Sequence, residues 1–219
     1  KVIWIIFTKE ILLEVRSKDI IASVFVFSVL VVITFNFALD PTPSLVAVVA
    51  PGILWVAFIF GGVLGLTRSF AMEKESGGLE SMLLLPCSRD ALFFGKMLAN
   101  VFFMVVVEII ILPVFVVLFD LTMFLPGFIL VAVLATFGIS AIGTVCSAMA
   151  VNTRSREVML PVLFLPLVLP LMVAAVECTS VLIVAGEMEG LTLWISFLMA
   201  IDAIFLVVCP FAFCRIVET

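Results

Sequence analysis

Long apolar stretches separated by short polar intervals dominate the chain. Six of them are long enough to be membrane spans, at residues 20–38, 45–66, 93–119, 127–151, 158–176 and 191–214. A helix of about 20 apolar residues crosses the ~30 Å hydrocarbon core of a bilayer. Because only a helix satisfies its backbone hydrogen bonds within one such segment, the pattern predicts an all-α polytopic membrane protein with six transmembrane helices. The polar intervals are too short for a soluble core, so residues 1–219 are expected to form a single transmembrane domain.

The first 18 residues have a different pattern. Apolar residues occupy positions 3, 7, 11 and 15, while charged residues occupy positions 10, 14 and 18 on another helical face. This periodicity predicts an amphipathic helix lying in the membrane interface, with Trp4 as an anchor. The alternative is a cytoplasmic extension of the first span. We favour an interfacial elbow helix over residues 1–18.

Residues 67–92 form the longest polar interval, between the second and third spans. Gly77 and Gly78 interrupt a helical pattern, which predicts two short helices meeting at a bend, and Pro86 ends the second helix. Leu79, Met82 and Leu83 share one helical face. Because a simple connection would need only a few residues, we interpret the interval as a docking element for another protein rather than a solvated loop.

The distribution of positive charge predicts the topology. All 11 Lys and Arg residues lie before the first span or after the second, fourth or sixth, and therefore on one side of the membrane. On the other side, the charged residues are all acidic: Asp40, Asp120, Glu177, Glu187 and Glu189. The positive-inside rule then predicts that both termini and residues 67–92 lie in the cytoplasm. On the outside, the apolar piece at 181–185 is too short to cross, so residues 177–190 are expected to form an interfacial turn.

Composition excludes several kinds of chemistry. The chain is 65% hydrophobic, has a formal charge of −5 and contains no His. It has no phosphate-binding G-x-x-x-x-G-K-[ST] loop, so the chain is not expected to hydrolyse ATP itself. Without His there is no imidazole to act as a base or bind a metal, and the five cysteines form no C-x-x-C pair. We therefore expect no catalytic residues, no metal site and no nucleic-acid partner.

Two acidic residues, Glu108 and Asp202, lie near the middle of predicted spans, with no Lys or Arg at that depth. Acids within a membrane are costly and often functional. One interpretation is a proton-linked or substrate-contacting pair. The other is two neutral acids hydrogen-bonded to neighbouring helices.

Small residues mark two helix contacts. Gly61 and Gly65 form a G-x-x-x-G pattern that suits either a homodimer or a neighbouring helix of the same chain. A stripe of small residues in the fourth span, at positions 140, 143, 144, 147 and 148, favours tight helix packing.

Residues 50–57, which include Pro51, Gly52 and Trp55, resemble a signature of the CcmB family, the B subunit of the cytochrome c maturation heme exporter. The similarity extends over nearly the whole chain. Further matching positions are Arg68, Glu73, Glu75, Gly78, Glu80, Pro86, Lys96, Pro161, Pro166, Pro170 and Pro210.

The resemblance implies an ABC transporter permease subunit with a type-2-exporter-like fold in the bacterial inner membrane. It implies two copies of this chain, two ATPase subunits that supply ATP and Mg²⁺, heme-handling membrane subunits and a heme chaperone. Residues 68–86 would form the cytoplasmic coupling helix. In that case Glu73, Glu75 and Glu80 would face the ATPase, Gly77 and Gly78 would form the bend, and Arg68 would be the membrane-proximal anchor.

No directly bound cofactor is expected, and heme would be a substrate of the complex. The complex would either export heme or use ATP to release a heme-loaded chaperone. We favour release because the chain has no His to ligate heme.

The chain departs from the family pattern at several positions. Thr67 stands where an acid is expected, and Asn100 with Val101 replaces a His-Trp pair. Glu108 and Asp202 are not part of the family pattern. Because the chain begins at Lys1, we expect a few residues to precede it in the natural protein.

Three competing functions remain at this stage. The first is an ABC-2 exporter permease for another substrate. The second is a proton-coupled carrier using Glu108 and Asp202, although we find no internal repeat to support it. The third is a non-transporting scaffold for heme-handling proteins.

Overall fold

The computed structural model describes residues 2–16, 18–39, 43–75, 88–120, 125–151, 156–185 and 190–218. These residues form seven α-helices and no strand. The helices are α1 (Val2–Arg16), α2 (Lys18–Leu39), α3 (Pro43–Glu75), α4 (Arg89–Phe119), α5 (Leu125–Val151), α6 (Arg156–Ala185) and α7 (Leu191–Glu218). The predicted all-α class is confirmed.

Five of these helices are long and apolar enough to cross a membrane. The qualifying segments are Val48–Leu66 in α3, Arg89–Phe119 in α4, Pro126–Ala150 in α5, Met159–Ile183 in α6 and Leu191–Ile216 in α7. α2 contributes a shorter apolar segment, Ala22–Ala38, and coincides with the first predicted span. The polytopic membrane class is therefore confirmed.

α3 is longer than the bilayer requires. Its 33 residues extend about 50 Å at 1.5 Å per residue, against a hydrocarbon core of ~30 Å. The helix continues nine residues past Leu66, where we expected the second span to end. The first part of the 67–92 interval is therefore a helical extension of this span.

At the other end of the bundle, α6 also exceeds its predicted length. We expected residues 177–190 to form an interfacial turn, but α6 continues as helix through Ala185. Cys178, Thr179 and Leu182 are fully buried, and Trp55 Nε1 of α3 donates a hydrogen bond to Thr179 Oγ1 at 2.9 Å. Packing against α3 thus favours helix where a short apolar piece suggested a turn. Residues 186–189 lie outside the described part of the chain.

α5 is the central helix of the bundle and packs against α3, α4, α6 and α7. Its stripe of small residues makes these contacts possible. A Cβ at Gly143 would lie 2.5 Å from Leu66 Cδ1 of α3, and the hydroxyl-bearing Ser140, Thr144 and Ser147 are all buried. The tight packing predicted for the fourth span is present.

Other helices of the same chain pack against both glycines of the G-x-x-x-G pattern. A Cβ at Gly61 would lie 2.9 Å from Ser28 Oγ of α2. A Cβ at Gly65 would overlap the ring of Phe103 on α4. Of the two uses considered, the pattern therefore serves neighbouring helices of the same chain.

Candidate functional site

The N-terminal helix α1 is joined to the beginning of α4 by a buried ion pair. Lys96 Nζ lies 3.1 Å from Glu10 Oε1, and both residues are buried. Lys9 Nζ also lies 3.3 Å from the same oxygen, at a more exposed position. Sequence periodicity placed Glu10 on the charged face of the elbow helix, but the structure buries it against α4.

Close packing reinforces this ion pair. At Gly95, a Cβ would lie 2.7 Å from Ile6 Cγ2 and 3.3 Å from the Ile3 carbonyl oxygen, so only glycine allows α1 to approach α4 this closely. The opposite side of α1 is apolar and exposed, with Trp4 67% and Leu12 65% accessible. That exposed surface suits a helix lying in a membrane interface.

Other helices meet at the same end of the bundle. Residues from α1, α4, α5 and α7 form one buried cluster: Ile6, Leu92, Phe93, Met97, Ala141, Val145, Ala148, Cys209 and Phe213. At its edge, Cys214 Sγ donates a hydrogen bond to Asp90 Oδ1 at 3.4 Å. The point where the 67–92 interval enters α4 is therefore anchored to three other helices. We call this arrangement the elbow junction, defined by the Glu10–Lys96 pair, Gly95 and the buried cluster.

The structure describes some of the predicted ATPase-contacting residues and not others. Arg68, Glu73 and Glu75 lie in the final part of α3, whose backbone is helical there. Gly77, Gly78, Glu80 and Pro86 lie outside the described residues. The bend at the two glycines and the contact with an ATPase stay predictions.

A buried polar seam runs between α4 and α5. Asn100 Nδ2 donates a hydrogen bond to Thr144 Oγ1 at 2.8 Å, and Thr144 Oγ1 in turn donates to the Ser140 carbonyl at 2.7 Å. Deeper in the bundle, Thr136 Oγ1 donates to Glu108 Oε1 at 2.5 Å. Sequence reasoning did not identify the role of Asn100. A signal was present, since Asn100 is a polar residue within an apolar span and follows Lys96 by one helical turn.

Asp202, the second intramembrane acid, has a different environment. Its side chain is buried on α7, and neither carboxyl oxygen has a hydrogen-bond partner among the residues described. A Cβ at Gly138 of α5 would collide with Asp202 Oδ1. The two acids that look alike in the sequence are thus distinct: Glu108 ties α4 to α5, while Asp202 faces α5 with no hydrogen-bond partner in the part of the chain that the structure describes.

Comparison with known proteins identifies the family. The model of the CcmB family, described as CcmB protein, matches residues 1–219. The chain belongs to the CcmB family. The resemblance inferred from residues 50–86 is confirmed, and with it the prediction of a heme-handling membrane permease subunit.

Several relatives carry the name heme exporter protein B. The one from Pseudomonas aeruginosa is 26% identical over 209 residues, covering 95% of this chain and 92% of the relative. That of Rhodobacter capsulatus is 28% identical over 210 residues, covering 94% and 93%. The Escherichia coli K12 protein is 35% identical over 97 residues, 44% of each chain.

Within this CcmB-family chain, the signature around Trp55 has a packing role. Pro51 and Trp55 are buried inside α3, and Trp55 packs edge-on against Phe58 with ring centroids 5.7 Å apart. Its hydrogen bond to Thr179 fixes α3 against α6. The tryptophan of the signature therefore joins α3 to α6.

The remaining signature positions that the structure describes lie in three other helices, α4, α6 and α7. Pro161, Pro166 and Pro170 lie within α6, and Pro210 is buried within α7. Lys96 has the most specific contact of the set, the ion pair at the elbow junction.

Proposed function

We propose that this chain is the membrane permease subunit of an ABC transporter acting in heme handling for cytochrome c maturation, and that residues 67–92 dock a separate ATPase. The observation that carries the docking role is the length of α3. Because the helix continues unbroken to Glu75, it supports a charged segment beyond the thickness of a hydrocarbon core. Glu73, Glu75 and Glu80 would supply charged contacts to the partner, and Arg68 would anchor the segment at the membrane surface.

The elbow junction supports transmission of movement from this segment. The interval leads directly into α4, and α4 is attached to α1 by the buried ion pair and to α7 by the apolar cluster. A displacement of the docked segment would therefore move several packed helices together, because close-packed elements shift as units rather than deforming gradually. Gly77 and Gly78 would allow the segment itself to bend.

The chemical energy would come from the partner. With no phosphate-binding loop in this chain, ATP and Mg²⁺ would bind the ATPase, of which two copies are expected together with a second copy of this permease. Heme-handling membrane subunits and a heme chaperone would complete the assembly in the bilayer. The distribution of positive charge supports a bacterial inner-membrane location with both termini and the docking segment on the cytoplasmic side.

Heme is proposed as a substrate of the complex and not as a cofactor held by this chain. The absence of His removes the usual protein ligand for heme iron. ATP-driven release of a heme-loaded chaperone therefore fits this subunit better than direct heme passage through it. Membership of the CcmB family favours this role over a permease for an unrelated substrate.

Co-purification with the ATPase tests the docking role. We expect wild type to retain the ATPase and the double variant Glu75→Arg plus Glu80→Arg to lose it, because charge reversal would replace attraction by repulsion. Glu14→Arg plus Glu218→Arg is the matched control: it makes the same charge change on the predicted cytoplasmic side, outside the docking segment. Equal recovery of ATPase with both double variants, at equal membrane insertion, would contradict the assignment.

A further inference from the structure

The two intramembrane acids differ in whether their polar atoms are satisfied. Glu108 is 7% exposed and receives the Thr136 hydroxyl hydrogen bond, so its burial is accounted for as a tie between α4 and α5. Asp202 is 5% exposed, and both of its carboxyl oxygens are buried without a partner in the described structure. Buried polar groups are nearly always hydrogen-bonded, so an orphaned carboxyl group requires an explanation.

The position of the Asp202 carboxyl group is defined by three helices. It projects from α7 toward α5 at Gly138, where the missing side chain leaves room for Oδ1. The same point is bordered by Leu171 of α6, whose Cδ2 would lie 2.9 Å from a Cβ at Gly138. Ser140 Oγ, two residues further along α5, is also buried without a partner among the residues described. We call this place the Asp202 notch, defined by Gly138, Leu171 and Asp202.

Charged groups are remote from the notch along every helix that contributes to it. On α5 the one titratable side chain is Cys146, about 12 Å along the helix from Gly138. On α6, Glu177 and Cys178 follow Leu171 by about 9 Å or more, and Arg156 and Glu157 lie at the far end of that helix. On α7, Cys209 is about 10 Å away, and Cys214, Arg215 and Glu218 lie further along the helix.

α4 also packs against α7. Its titratable residues are Arg89, Asp90, Lys96 and Glu108. Glu108 bonds to Thr136, and because two residues turn a helix by about 200°, Thr136 and Gly138 face different sides of α5. Lys96 is paired with Glu10 at the elbow junction. No cation is therefore hydrogen-bonded to Asp202 within the described structure.

An isolated carboxylate in such a place is strongly disfavoured, since burying an unpaired charge costs several kcal/mol or more even after relaxation. A bound proton removes the charge and lets the group remain in the apolar junction. We propose that Asp202 is a proton-binding site, and that α5, α6 and α7 close around the protonated carboxyl group. Release of the proton to water then requires α7 to separate from α5, so proton exchange and helix packing are linked.

This inference does not depend on the docking of an ATPase. It separates the roles of two residues that the sequence presents as equivalent: Glu108 is a helix tie, and Asp202 is an exchangeable proton site. Failure of the docking test would leave it standing, and the reverse also holds.

Infrared spectroscopy of the purified chain in lipid vesicles tests the proposal. A protonated carboxyl group has a carbonyl stretching band that an ionised carboxylate lacks, and this band shifts in deuterium oxide. We expect Asp202→Asn to remove one such band that the matched variant Glu108→Gln retains. The Asp202 band should also lie at higher wavenumber than any band of Glu108, because the Asp202 carboxyl group accepts no hydrogen bond from the described residues while Glu108 Oε1 accepts one from Thr136.

A second measurement avoids dependence on the folding of a variant. Labelling wild type with carboxyl-¹³C aspartate shifts the band of a protonated Asp and leaves any band of a protonated Glu unchanged. A shifted protonated band supports the site, and raising the pH should remove it only as the helices separate. If the labelled aspartates show no protonated band near neutral pH, or if Asp202→Asn leaves the carboxyl region unchanged, Asp202 is ionised and the proposal is overturned.

Discussion

Replacing Lys96 with Met should weaken the attachment of α1 to α4. The substitution retains a long side chain that fills similar space but removes the ammonium group 3.1 Å from Glu10 Oε1. Breaking a buried ion pair by removing one partner typically costs about 3–5 kcal/mol, because the other charge is left uncompensated. Lys9 lies 3.3 Å from the same oxygen and can take over part of that role. We therefore expect a loss of about 2 kcal/mol in the free energy of unfolding, near 30-fold in the equilibrium constant.

A double-mutant cycle isolates the interaction. Glu10→Gln should cost less than Lys96→Met, because it leaves a neutral amide and Lys96 has further contacts. The double variant should be more stable than the sum of the two losses predicts, with a coupling of about 1 kcal/mol or more. Denaturant unfolding of the purified chain in detergent, followed by helix content, gives these free energies. Additive losses would refute the reasoning, since they would mean that the two side chains do not act on each other.

The other predictions concern helix contacts. Gly65→Ala should destabilise the bundle by about 1–3 kcal/mol, because the added Cβ would overlap the Phe103 ring. Gly52→Ala is the control and should be tolerated, because no atom lies within 4 Å of its Cβ position. Thermal unfolding compares the two variants, and equal stability would contradict the packing at Gly65. Trp55→Phe and Thr179→Val each remove the hydrogen bond between α3 and α6, and each should lower the free energy of unfolding by about 1–3 kcal/mol. The double variant should lose less than the sum of the two single losses. Fully additive losses would show that the bond contributes nothing to stability.

The sequence predicts most of the fold because the bilayer imposes a simple rule. Apolar stretches must be helical throughout, and the stretches at 93–119 and 127–151 coincide closely with α4 and α5. The extension of α6 to Ala185 did not follow from that rule. It depends on the burial of Thr179 against Trp55, which is 124 positions away in the sequence. Hydropathy over a short window carries no information about such a contact.

The candidate site was less predictable for the same reason. Glu10 has the helical spacing of a solvated residue, and only the approach of α4 turns it into a buried partner of Lys96. Likewise, Glu108 and Asp202 lie at similar depths in apolar helices, and only the neighbouring helix decides which one meets a hydroxyl group. Sequence patterns locate costly polar residues within spans, but their roles follow from tertiary contacts.

The most direct test of the docking segment is photo-crosslinking in native membranes. A photoreactive amino acid is placed at position 80, within the docking segment, or at position 189, on the predicted opposite side of the membrane. The docking proposal predicts an adduct with the ATPase subunit from position 80 and none from position 189. An ATPase adduct from position 189, or none from position 80 while the two subunits still co-purify, would contradict it.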